Sequence, residues 1–153
     1  MYNNKYKDVN SIGFFNWLFI IFAVGFYPQL VSIYALFPPL IAIAGLIIIY
    51  NVDKNVIYAL AGMLYLVHID LNLTLPFLLS IFSVVLIYIV VYPSAKLMIR
   101  CKVCLALFLI ALIDIFYYSN LFLYDFILNS KTVVVDSMLW FYIFVDIIVG
   151  LIL

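Results

Sequence analysis

The sequence predicts an all-α integral membrane protein: one polytopic domain, a bundle of about six transmembrane helices, with both termini in the cytoplasm. Three observations predict it. The chain of 153 residues is 71% hydrophobic and 9% charged, whereas a soluble domain is nearer half apolar and a quarter charged. Leu73 to Tyr92 is an almost unbroken apolar run, interrupted by Thr74, Pro76 and two serines. As a helix rising ~1.5 Å per residue it reaches about 30 Å, the thickness of a bilayer's hydrocarbon core. Pro93 ends this run, and Lys96, Arg100 and Lys102 follow, three of the seven basic residues. A basic cluster beside a spanning helix stays in the cytoplasm.

The elements follow in order. Met1 to Asn10 reads as a short cytoplasmic tail. Ser11 to Tyr27 is the first spanning helix, expected to be retained although Ala23-Val24-Gly25 has the small-x-small look of a cleavage site. Pro28 bends or ends it, and Gln29 to Phe37 is a turn, an interfacial piece or a helical extension. Pro38-Pro39 opens Leu40 to Tyr50, a helix that is short unless it begins near Leu30 and kinks at the prolines. Asn51 to Asn55 is the clearest loop. Val56 to Ile69 is a third helix, tilted or set in thinned membrane. Leu73 to Tyr92 is the fourth and Val103 to about Phe122 the fifth. Leu123 to Ser137 is mixed, and Met138 to Leu153 is the sixth.

Basic residues support this count. The tail, the Asp53–Lys54 loop and the loop after Pro93 hold Lys5, Lys7, Lys54, Lys96, Arg100 and Lys102, leaving only Lys131 opposite. Continuous rather than alternating apolar segments argue against a β-barrel.

All seven acids are aspartates. An ionised carboxylate in hydrocarbon costs at least ~2.5–3.5 kcal/mol, so it faces a partner or water. Asp114 lies midway along the fifth helix and is expected to face the bundle interior, with Tyr117 and Tyr118 one turn on as hydrogen-bond donors. Asp146 lies nearer the cytoplasmic face, and Asp70, beside His68, at the interface. Two readings apply to these residues. They form a proton or cation pathway, or they are packing residues and contacts to a partner protein; the second is favoured for Asp70 and Asp146. Ala59 and Gly62 place small residues on one helical turn and permit close helix approach. The aromatics read as interface belts and lipid-facing packing.

Catalysis is not expected. There is no H-E-x-x-H motif and no glycine-rich phosphate loop. Tyr124-Asp125 supplies only half of the intramembrane aspartyl-protease signature. Cys101 and Cys104 form a lone C-x-x-C, too few ligands for structural zinc, and read as reduced interfacial thiols. No cofactor or metal is expected. No basic patch interleaved with aromatics suggests nucleic acid.

Between Pro38 and Tyr92 the chain resembles the MreD family of rod-shape-determining membrane proteins. Prolines open a second helix, a polar turn contains Asp53, and the third helix carries Gly62 and then Asp70, with Leu66 where the family often has a middle glycine. A long apolar helix follows. The resemblance implies a non-enzymatic scaffold of the bacterial cell-elongation and cell-wall machinery, multi-pass in the inner membrane, beside MreC, the actin-like MreB and peptidoglycan synthases. It also implies a fold similar to the substrate-binding subunits of vitamin transporters. The alternatives are a small vitamin-binding or ion-coupled transporter subunit, with a polar pocket lined by Trp17, Asp114 or Trp140, and an accessory subunit of a larger membrane complex.

Overall fold

The computed structural model describes residues 13–34, 36–129 and 137–152, and for 137 and 138 the backbone alone. The tail with Lys5 and Lys7, and the segment holding Lys131 and Asp136, lie outside the described residues. The described chain is all-helical.

α1 (Phe14–Gly25) and α2 (Tyr27–Ile33) together give 20 residues long and apolar enough to cross a membrane. Pro28 interrupts without ending them: it sits in the first turn of α2, where a missing N–H costs nothing. Pro38 and Pro39 then halt helical pairing, and Leu40 adopts the left-handed region (φ 49°). α3 (Ile41–Asn51) therefore starts after the prolines, not near Leu30. The carbonyls stranded by this break are satisfied by tyrosines. The Tyr27 hydroxyl donates to Pro38 O at 2.9 Å, and the Tyr65 hydroxyl to Pro39 O at 2.6 Å.

Asn55 opens α4 (Val56–Asn72), its Oδ1 accepting the Ile57 N–H at 3.2 Å. The fourth expected helix is shorter than its apolar run. Thr74 (φ 53°) and Leu78 (φ 65°) are both left-handed, with Pro76 between them, so α5 spans only Leu79–Val90. Pro93 does not end it. It falls in the first turn of α6 (Tyr92–Met98), bent by 48° from α5. α7 (Lys102–Leu128) is 27 residues long and runs well past Phe122. α8 is Ser137–Ile152.

By length and composition, α1–α2 and α7 can each cross a membrane, and α5–α6 makes a third if the bent pair is one span; α3, α4 and α8 are shorter.

The centre of the bundle is α3, not the stretch after Leu73. Ile41, Ala42, Ile43, Ala44, Leu46, Ile48 and Ile49 are all buried, on every side of the helix, as befits an element packed all round. It touches α4, α5, α7 and α8. Gly45 allows this: a Cβ there would lie 2.8 Å from Val84 Cγ2 and 3.0 Å from Ile113 Cδ1. Gly62 does the same against Ile48 (2.8 Å) and the Ala44 carbonyl (3.3 Å), and Ala59 beside it is buried. The expected small-residue contact is thus α4 on α3. Among the described residues α1 is the opposite case, touching only α2 and α4, with no buried residue and Phe14, Phe15 and Phe19 exposed.

Candidate functional site: aspartates at two helix beginnings

The first turn of any helix has N–H groups without intrahelical partners. A leucine before the helix cannot accept them, and leucine precedes both α3 and α5. In each case a buried aspartate from another helix supplies the acceptor.

At α3 it is Asp146 of α8. Its Oδ2 accepts the Ala42 N–H at 3.2 Å, and the side chain is 3% exposed. Asp114 of α7, 2% exposed, hydrogen-bonds to the Asp146 carboxyl. A hydrogen bond between two carboxyl groups needs a proton on one of them, since an ionised carboxylate only accepts. Asp114 Oδ2 and Asp146 Oδ1 are enclosed without a hydrogen-bond partner. Tyr118 lies within electrostatic reach of both carboxyls. α8 reaches this position because Gly150 leaves no Cβ where Ile110 sits, with Ile43 beside it.

At α5 it is Asp70, near the end of α4. Oδ2 accepts from the Ser80 N–H (3.3 Å) and the Ser80 hydroxyl (2.7 Å). Asp70 is 0% exposed. One helical turn along, Ser83 and Asn120 extend the polar seam, Asn120 Nδ2 donating to Ser83 Oγ at 3.2 Å.

The sequence expectations resolve as follows. Asp114 faces the interior, and it meets Asp146. Asp70 is buried, because the break at Thr74–Leu78 folds the start of α5 onto it. Asp146 lies at the start of α3, the end opposite the Asp53–Lys54 turn. His68 does not join Asp70; its Nδ1 donates to Val24 O at 2.8 Å, and Asn72 Nδ2 donates to His68 O at 2.8 Å. Tyr117 gives Asp114 no hydrogen bond, its hydroxyl having no partner. Trp17 and Trp140 are exposed, whereas Asp114 is buried. Trp140 lines an open apolar hollow of about 550 Å³ with Phe141, Ile143, Phe144 and Ile147. Among the described residues no three His, Cys, Asp or Glu side chains gather as a metal site requires.

Sequence reasoning missed Tyr27 and Tyr65, read there as belt residues, and Gly45 and Gly150. For Gly45 a signal existed: Ala42 and Gly45 have the same three-residue spacing as Ala59 and Gly62.

Comparison of the chain with protein-family models, curated proteins and solved structures returns no match.

Proposed function

We propose that this protein is a non-enzymatic membrane scaffold that binds other membrane proteins through its helices. The observation that carries this reading is where the polar groups go. Asp70 and Asp146 close the starts of α5 and α3, while Phe14, Phe15, Phe19, Trp140 and Phe144 turn outward. Apolar faces of this kind suit lipid and neighbouring helices, whose association depends on packing and a few hydrogen bonds.

The proposed topology has six passes in the inner membrane with both termini cytoplasmic. Its support is the grouping of positive charge. Tyr88 donates to Asp53 at 3.3 Å beside Lys54, and the Lys96 ammonium lies 5.6 Å over the Tyr92 ring, which itself contacts Tyr50. The short helices α3 and α5 enter through non-helical segments, which membranes tolerate where protein covers the backbone. In this reading, supported by the resemblance to MreD, the scaffold works in the cell-elongation machinery, with MreC and wall synthases as partners. Depletion in the native cell with crosslinking tests this: rounded cells and recovery of MreC or a synthase are expected. Normal shape with a transporter ATPase recovered instead overturns the assignment.

One observation favours the second reading, an ion-coupled transporter subunit. The Asp114–Asp146 pair sits at the beginning of an interrupted helix, where transporters of broken-helix design bind substrate and ions. Asp114→Asn separates the two. A scaffold keeps fold and partner binding, since Asn retains shape and hydrogen-bonding capacity. A transporter subunit keeps its fold and loses function.

A further inference from the structure

Both cysteines of the chain stand at one helix beginning. Cys101 is the residue before α7, and its carbonyl accepts the Leu105 N–H at 3.0 Å. Cys104 lies in the first turn, and its N–H donates to Cys101 Sγ at 3.4 Å. That bond holds the Cys101 side chain back over the turn that carries the Cys104 side chain. Both thiols are free and exposed. Arg100 and Lys102 flank Cys101 in sequence and are exposed as well. A helix beginning and adjacent cations both favour a thiolate over a thiol. A structural zinc site takes four ligands, and among the described residues no three His, Cys, Asp or Glu side chains gather. The pair is therefore placed for sulfur chemistry rather than for metal.

We propose that Cys101 and Cys104 form a redox-active dithiol that exchanges with low-molecular-weight disulfides and closes to a disulfide across the first turn of α7. Cys101, whose Sγ receives the hydrogen bond, attacks, and Cys104 resolves. The Cys101 thiolate attacks one sulfur of the incoming disulfide. That S–S bond breaks, and one thiolate leaves and takes up a proton. Cys101 now carries a mixed disulfide beside Cys104. The Cys104 thiol gives its proton to solvent and attacks Cys101 Sγ, and the second thiolate leaves and is protonated. Two electrons pass from the dithiol to the substrate, which ends as two thiols. Residues three apart on a helical turn have Cα atoms roughly 5 Å apart, inside the ~4.4–6.8 Å that a disulfide spans. Closing the bond thus takes side-chain rotation without movement of α7. In a reducing compartment the dithiol is the resting form and the disulfide is transient.

The full-length protein in detergent, incubated with oxidised glutathione, quenched with acid, alkylated and weighed intact, tests the site. The Cys101–Cys104 disulfide is expected to accumulate without a lasting glutathione adduct. In Cys104→Ser the adduct should persist on Cys101, and in Cys101→Ser the reaction should slow at least several-fold. The reference is a synthetic peptide of residues 97–107, which keeps the cysteine spacing and the flanking cations but is too short to hold a helix. The folded protein should react several-fold faster than this peptide below neutral pH. Equal rates overturn the proposal without any variant having to fold, because spacing and charge then account for the chemistry. A lasting adduct on the unaltered protein overturns it by showing that Cys104 does not resolve. Covalent dimers overturn it in favour of a bond between two copies, and unreacted thiols overturn it outright.

Discussion

Four helix beginnings in this molecule are closed in two different ways. α4 and α7 use the residue immediately before them: Asn55 Oδ1 accepts from Ile57 N–H, and Cys101 Sγ accepts from Cys104 N–H at 3.4 Å. α3 and α5 use aspartates distant in sequence, 104 and 10 residues away. A local cap forms whenever its helix forms. A remote cap exists only when the bundle is assembled, so it couples the start of one helix to the docking of another. The two remote caps also differ from each other. Asp70 is matched to one serine that supplies both donors. Asp146 is divided between Ala42 and a second carboxyl, and needs a proton between the pair.

That contrast predicts unequal costs. Asp146→Leu orphans the Ala42 N–H and leaves Asp114 alone in the interior, two buried groups at about 1–3 kcal/mol each. Asp70→Leu strands the Ser80 N–H, but unlike Asp146→Leu it leaves no second carboxyl alone in the interior. Its cost is expected near one such group, about 1–3 kcal/mol. Chemical unfolding in detergent measures both. An Asp70 loss equal to or larger than the Asp146 loss removes the distinction between the two sites.

A subtler break comes through packing. Gly150→Val forces a side chain into Ile110 and lifts α8, at roughly 1–3 kcal/mol for overpacking. Lifting α8 already parts Asp146 from Ala42. Combined with Asp146→Leu, the two losses should fall short of their sum; combined with Asp70→Leu they should add within ~0.5 kcal/mol. Full additivity in both pairs means that α8 docking and the α3 cap are independent.

The difference between local and remote caps also sets what could be read from the sequence. The loop before α4, the close approach at Ala59 and Gly62, and the inward Asp114 are local signals, and each was legible. The break after Leu73 was not. Leu73–Tyr92 has the composition of one spanning helix, and only the folded position of Asp70, with Ser80 as its partner, shows why α5 starts six residues late. A meeting of Asp114 with Asp146 is compatible with the sequence, although neither carries flanking polar or glycine motifs. Its third member, the Ala42 N–H, is a backbone group freed by a helix start that the pattern placed imprecisely. Pro38-Pro39 marked the break, but Tyr27 and Tyr65, which satisfy its carbonyls, resemble every other tyrosine of the belt.

The smallest expected effect lies at the local cap of α7. Cys101 is exposed and precedes the helix. The hydrogen bond from the Cys104 side chain, then that from the Cys104 backbone N–H, lowers the Cys101 thiol below its usual range. Both bonds favour the thiolate, which is the reacting form. Cys101 should therefore alkylate at lower pH than an unperturbed cysteine, and ahead of Cys104 in mass-spectrometric time courses. Because this cap is local, Asp146→Leu should leave the Cys101 pH profile unchanged, while Cys104→Ala removes the side-chain bond and moves the profile upward. The stability cost of Cys101→Ala should be the smallest among the substitutions named, as for a weak, exposed N-cap. A Cys101 profile that shifts with Asp146→Leu would show that the start of α7 also depends on α8, and the division into local and remote caps would fail at its simplest member.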